Sequence, residues 1–186
     1  MTTRHLVLIG LMGAGKSTVG ERCATALDRA FVDTDRLIEL NAGTTVAEIF
    51  STQGEPAFRA LERTVVADVS GSPAPLVIAC GGGIALDPDN RRALREHGVV
   101  VWLRAAAQEL GRRVGSGAGR PLLEHGLGGE DGLGGRGSTP AATLERLAVL
   151  RAPAYEAAAH FIVDTDGLAI DAVTELVLEE YRTWNA

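Results

Sequence analysis

The stretch "GLMGAGKSTVG", residues 10 to 20, follows the apolar run His5-Leu6-Val7-Leu8-Ile9 and opens into helix-compatible sequence. Gly10, four residues, then Gly15-Lys16-Ser17 fits G-x-x-x-x-G-K-[ST], a loop that cradles phosphate between a strand and a helix. Gly10, Gly13 and Gly15 permit positive φ, so successive amide N–H groups can turn toward phosphate oxygens at the positive end of that helix. Lys16 is the only lysine in a chain whose Lys and Arg total 18. A compact ammonium on a thin stem can lie along the β- and γ-phosphates, whereas the broad guanidinium of Arg suits open bidentate contacts. Gly13, Ala14, Gly15, Lys16, Ser17 and Thr18 are therefore the candidate nucleotide site, against the alternative of a glycine-rich turn that binds nothing.

Outward from this loop, short apolar runs alternate with amphipathic stretches, which is the signature of α/β units around a parallel sheet. Strands are expected near 5 to 10, 31 to 33, 75 to 80, 99 to 103 and 160 to 164. Helices are expected over 16 to 28, 35 to 41, 45 to 52, 56 to 70, 88 to 97, 105 to 114, 140 to 158 and 169 to 184. "LVIAC" and "VVVWL" are near-continuous apolar runs, as strands covered by helices on both faces require. Ligands of such sheets gather at the carboxyl ends of the strands. The segment "EHGLGGEDGLGGRGSTP", 124 to 140, is dominated by glycine, keeps no apolar period and predicts a mobile loop.

At 186 residues and 46% hydrophobic content, the chain suits one well-buried core, a single domain over 1 to 186. No stretch approaches the roughly 20 apolar residues that span a bilayer. Met1-Thr2-Thr3-Arg4 runs into the first strand without a signal-peptide layout, so a cytoplasmic protein without membrane contact is expected. Cys23 and Cys80 lack metal-binding spacing and read as two free, inert thiols. A formal charge of −6 with no basic stripe argues against general nucleic-acid binding. An anionic small substrate must instead meet a local cluster of Arg.

Asp33-Thr34-Asp35 follows the second strand, where carboxylates two residues apart can point to one side at the sheet's ligand-binding edge. Ser17 supplies a hydroxyl suited to Mg²⁺, with Asp33 holding the ion through water and Asp35 left to accept a hydroxyl proton. Capping of the next helix explains an Asp at this place equally well. In "GEPAFRALE", 54 to 62, Arg59 and Glu62 stand at i and i+3 and can meet on one helix face, an arrangement shared by ordinary surface ion pairs. "ACGGGIAL" ends the central strand in Gly81-Gly82-Gly83, bare backbone where a substrate would press. Arg120-Pro121-Leu122-Leu123 and Arg151-Ala152-Pro153-Ala154-Tyr155 flank the glycine-rich segment.

The order Gly-x4-Gly-Lys-Ser, Asp-x-Asp, Phe-Arg-x-x-Glu, Gly-Gly-Gly, Arg-Pro-Leu-Leu and Arg-x-Pro-x-Tyr resembles the shikimate kinases over nearly the whole chain. The phosphate loop alone is shared by many unrelated proteins, but its combination with Asp-x-Asp, three glycines and both arginines is specific. The resemblance implies a P-loop NTPase-like three-layer α/β sandwich, with a five-stranded parallel sheet flanked by helices. It further implies an acceptor-binding subregion over 35 to 70, a mobile lid over 112 to 139, and a monomer. The implied reaction moves the γ-phosphoryl group of ATP, with Mg²⁺, to the 3-hydroxyl of shikimate, giving shikimate 3-phosphate and ADP in aromatic amino-acid biosynthesis. By that likeness Lys16, Asp35 and Arg120 are catalytic, Asp35 holding the reacting hydroxyl and Arg120 reaching the phosphates from the lid. Arg113 lies by the adenine, Arg59 and Arg151 grip the shikimate carboxylate, and Gly81 and Gly82 line the substrate. Phe50 and Phe58 form an apolar wall, and Glu62 orients Arg59.

Two features depart from the family's pattern. A glycine-rich insertion of about a dozen residues lies between Arg120 and Arg151. Beyond Val163-Asp164-Thr165 the chain continues Asp166-Gly167-Leu168-Ala169, without the Arg or Pro that members often place against adenine. Another small-molecule kinase, such as a gluconate kinase, would share the sheet and loop but need not combine Asp-x-Asp with three glycines and two carboxylate-facing arginines. A nucleotide sensor without turnover would have no use for Asp35.

Overall fold

Five short apolar segments pair in one parallel sheet: β1 (His5–Ile9), β2 (Phe31–Asp33), β3 (Val77–Ala79), β4 (Gly98–Arg104) and β5 (Phe161–Asp164). The computed structural model describes residues 4–114 and 140–184. β1 and β3 are buried throughout and β4 up to Leu103, which is why their sequences carry no polar alternation. The connecting helices are α1 (Lys16–Leu27), α2 (Thr34–Ala42), α3 (Val46–Ser70), α4 (Pro88–His97), α5 (Ala107–Val114), α6 (Pro140–Ala158) and α7 (Ile170–Trp184). Helices α1 and α7 pack together, as do α3 and α4, and α6 lies against α4 and α5.

The strand order β2-β3-β1-β4-β5 reverses direction at β1, because the chain moves outward to β2, returns to β3 and then crosses β1 to reach β4. A crevice at the carboxyl ends on either side of such a reversal is where ligands of open α/β sheets bind. The loops after β1, β2 and β3 all end there.

Local chemistry starts and stops the helices near the site. Thr45 and Glu48 form a reciprocal capping box at the start of α3, and Asp87 accepts hydrogen bonds from the amides of Asp89 and Asn90 ahead of α4. The two helices expected over 45 to 52 and 56 to 70 are present as the halves of α3, separated at Gly54 (φ 81°, ψ 172°) just before Pro56. That backbone conformation is open essentially only to glycine.

Some boundaries differ from expectation. β3 is confined to Val77–Ala79, with the Cys80 amide still donating to the Leu8 carbonyl at 2.9 Å just ahead of the glycine run, and Ile84–Leu86 forms a short 3₁₀ turn that has no sequence period to announce it. Cys23 and Cys80 are free and buried; burial pushes the Cys23 thiol up to about 12 and raises that of Cys80 as well. No helix among the described residues is long and apolar enough to cross a membrane. Arg120 and the expected lid from residue 115 to 139 lie outside the described residues.

Candidate active site

The loop after β1 holds Gly13 at φ 81° and Gly15 at φ 91°, turning the chain tightly into α1, which begins at Lys16. Lys16 Nζ donates to the Leu11 carbonyl at 3.0 Å, and Ala14 is buried beneath the turn. Over this loop opens a cavity of about 580 Å³. Gly13, Gly15, Lys16, Ser17 and Thr18 form one side, and Asp35, Phe50, Phe58, Arg59, Gly82, Gly83, Arg113 and Arg151 also line it.

The Asp33 carboxylate divides its two oxygens. Oδ2 accepts from the Ser17 hydroxyl at 2.7 Å, while Oδ1 accepts from the amides of Asp35 (3.1 Å) and Arg36 (3.3 Å). Capping and contact with the phosphate loop are thus the work of one side chain. Asp33 and Asp35 both line the cavity, though not by strand alternation: α2 begins at Thr34, so Asp33 is its cap and Asp35 lies in its first turn. Burial, and then the neighbouring charge of Asp33, hold the Asp35 carboxyl above the ordinary aspartate value, with Lys16 and Arg59 acting in the opposite sense. Among the described residues no group of three or more His, Cys, Asp or Glu side chains could hold a metal. Ser17 and Asp33 nevertheless offer the hard oxygens suited to Mg²⁺, which keeps several waters and takes phosphate oxygens as ligands.

Bare backbone at the glycine run admits charged groups. A Cβ at Gly81 would collide with the Asp35 carboxylate, and one at Gly83 with the Arg59 guanidinium. The Gly81 amide donates to Thr34 Oγ1 at 2.8 Å, and the Gly82 carbonyl accepts from Arg151 Nη1 at 3.0 Å and from the Tyr155 hydroxyl at 2.5 Å. Gly82 and Gly83 line the cavity, whereas Gly81, expected to line it too, is buried against Asp35.

Arg59 donates through Nη1 to Glu62 Oε2 at 2.6 Å, and through Nε and Nη2 to Glu55 Oε1 at 3.1 and 2.7 Å. Glu62 is only 2% exposed, so this is not a surface ion pair; burial raises its carboxyl while Arg59 draws it back. The rings of Phe50 and Phe58 meet at 4.7 Å, and the Arg59 guanidinium lies 5.4 Å from the Phe58 centroid. Arg151 is 3% exposed, and its Nε has no hydrogen-bond partner among the described residues. Arg113 reaches the Thr165 hydroxyl (3.0 Å) and carbonyl (2.8 Å) and pairs with Glu109.

Thr34 and Glu55 escape sequence reasoning at this site, and Tyr155 stands there only as a motif residue with no role assigned. Glu55 stands four residues before Arg59 and Tyr155 four after Arg151, so helical spacing was the available signal. Thr34 had none, lying between two more conspicuous acids.

A five-stranded parallel sheet with a phosphate loop after its first strand, and a cavity of mixed acids and arginines at the strand reversal, defines a P-loop kinase. The shikimate kinase family model matches residues 12–182. A shikimate kinase of Symbiobacterium thermophilum is 43% identical over 179 residues, 96% of each chain. The shikimate kinase of Acinetobacter baumannii, solved in complex with shikimate, superposes with a TM-score of 0.87 at 32% identity, covering 98% of this chain and 94% of that one. A gluconokinase of Sinorhizobium meliloti 1021 reaches a TM-score of 0.57 at 21% identity over 98% of this chain and 94% of its own, a likeness of fold alone. The chain belongs to the shikimate kinase family.

Proposed function

We propose that this chain transfers the γ-phosphoryl group of ATP to the 3-hydroxyl of shikimate through the residues gathered in the cavity. The observation that carries the reading is Arg151, a cation 3% exposed at the cavity wall with an unpartnered N–H. A buried guanidinium with an orphaned donor calls for an anion. With Arg59 it would hold the acceptor carboxylate, Phe50 and Phe58 would flank the carbon ring, and Gly82 and Gly83 would let that ring lie on backbone.

Asp35 is then the group that takes the proton of the attacking hydroxyl, a task its raised pKa favours. Gly13 to Thr18 cradle the phosphates, Lys16 lies along the β- and γ-oxygens, and Arg113 lies by the adenine. Arg120, outside the described residues, would reach the same phosphates. Ser17, with Asp33 acting through water, would hold Mg²⁺, which when bound neutralises charge on the β- and γ-phosphates. Phosphoryl transfer needs chiefly alignment and charge neutralisation, and these side chains supply both.

The test is steady-state kinetics of Arg151→Ala. Truncating one partner of a buried, hydrogen-bonded charge pair costs on the order of 2 to 5 kcal/mol, so the shikimate KM should rise about a hundredfold while the ATP KM holds. An equal rise for both substrates would remove Arg151 from the acceptor site.

A further inference from the structure

Arg59 has each edge of its guanidinium engaged by the protein itself. Glu62 takes Nη1 at 2.6 Å, and Glu55 takes Nε at 3.1 Å and Nη2 at 2.7 Å. At the remaining edge stands Gly83, where a Cβ would press on Nη1 and lie 2.8 Å from Nη2 and 3.0 Å from Cζ. Both nitrogens are nearer than the carbon, so Gly83 abuts the terminal edge and not the flat face. The Nε and Nη2 edge is one that can give two parallel hydrogen bonds to a planar carboxylate. Glu55 holds it with a single oxygen.

The two glutamates are not equivalent. The Glu62 side chain is 2% exposed and that of Glu55 is 35% exposed. Glu62 cannot leave without stranding a buried charge, whereas Glu55 can turn into water. Its backbone also sits between Gly54, at φ 81° and ψ 172°, and Pro56, at the break in α3. Charge adds a reason to move: the cavity already carries Asp33, Asp35, Glu39 and Glu62 in its lining. With Glu55 in place, an incoming anion would be a third carboxylate on one guanidinium.

The geometry points to Glu55 as a resident carboxylate that occupies the two-donor edge of Arg59 and is exchanged for the carboxylate of the arriving acceptor. This rests on the reading that Arg59 binds that carboxylate. Glu55 is then a positioning residue acting through Arg59: acceptor binding breaks one ion pair as it makes another, and affinity is the difference. Acids that cannot also reach Arg151 gain too little to displace it, which selects for the acceptor that satisfies both arginines.

Glu55→Gln keeps the shape and removes the charge. Calorimetric titration and steady-state kinetics should show the Kd and KM for shikimate falling about fivefold, the scale of a partly exposed ion pair, with no matching fall in the ATP KM. Glu55→Asp, with a shorter reach, should move the same way by less. In an Arg59→Gln background the Glu55→Gln gain should vanish. A rise in shikimate KM for Glu55→Gln would mean that Glu55 supports Arg59 in its binding pose, and no change would mean that the pair is indifferent; either overturns the exchange. If Arg59→Gln weakens shikimate while Glu55→Gln does nothing, only the exchange fails. If Arg59→Gln leaves shikimate binding intact, the assignment of Arg59 to the carboxylate fails first. Thermal melting of each variant separates these outcomes from loss of fold.

Discussion

The Gly81 amide donates a 2.8 Å hydrogen bond to the Thr34 hydroxyl, both residues buried, and so ties the end of β3 to the first turn of α2. Asp35, the next residue on that turn, is held against Gly81 by the same link. Thr34→Val should therefore act on stability and turnover together. Leaving a buried N–H unsatisfied costs about 1 to 3 kcal/mol, which urea denaturation would register, and kcat should fall as Asp35 shifts. Thr34→Ser, which keeps the acceptor, should recover most of both. Equal behaviour of Ser and Val would mean the hydroxyl is incidental.

Neighbouring glycines should fail in different ways. A methyl at Gly81 meets the Asp35 carboxylate, whereas one at Gly83 meets the Arg59 guanidinium. Gly81→Ala should lower kcat, since displacing Asp35, the proposed proton acceptor, by about 1 Å can cost on the order of a hundredfold. Gly83→Ala should chiefly raise the shikimate KM. Kinetics with each substrate varied in turn distinguishes them, and a common pattern in both variants would contradict the separate placements.

Stability should fall in mild acid. His160 Nδ1 accepts from the Val100 amide at 3.0 Å, and burial, then Arg95 and Arg4, lower its pKa to about 4. An unfolded imidazole takes its proton near about 6.5. Between those values the unfolded chain binds more protons than the folded one, so stability rises with pH across this window and is lost as pH falls through it. His5, likewise lowered by burial first, adds in the same direction. Relative to His160→Asn, whose amide oxygen can still accept from Val100, the Tm of the parent chain should fall between about pH 7 and pH 5. Parallel curves would remove His160 from the account.

The sheet was legible because its central strands are unbroken apolar runs, and the break in α3 because Gly and Pro flank Glu55. Three-dimensional partnerships were less so. Asp33 admitted two readings, helix cap or holder of Mg²⁺ through water, and no spacing rule could show that one of its oxygens caps α2 while the other accepts from Ser17. Arg59 and Glu62 read as easily as a surface pair, since burial of Glu62 depends on helix packing and not on the local pattern. Thr34 matters through a residue 47 positions away, a relation that only the β2 to β3 pairing creates.

The most direct measurement is ADP release by the purified chain with Mg²⁺ and ATP, offered shikimate, gluconate or no acceptor, with the product ester located by NMR. Release should depend on shikimate and yield the phosphate on its 3-hydroxyl, with gluconate and the acceptor-free reaction at background. Release of equal rate with gluconate, or hydrolysis indifferent to any acceptor, would contradict the assignment of this cavity to shikimate.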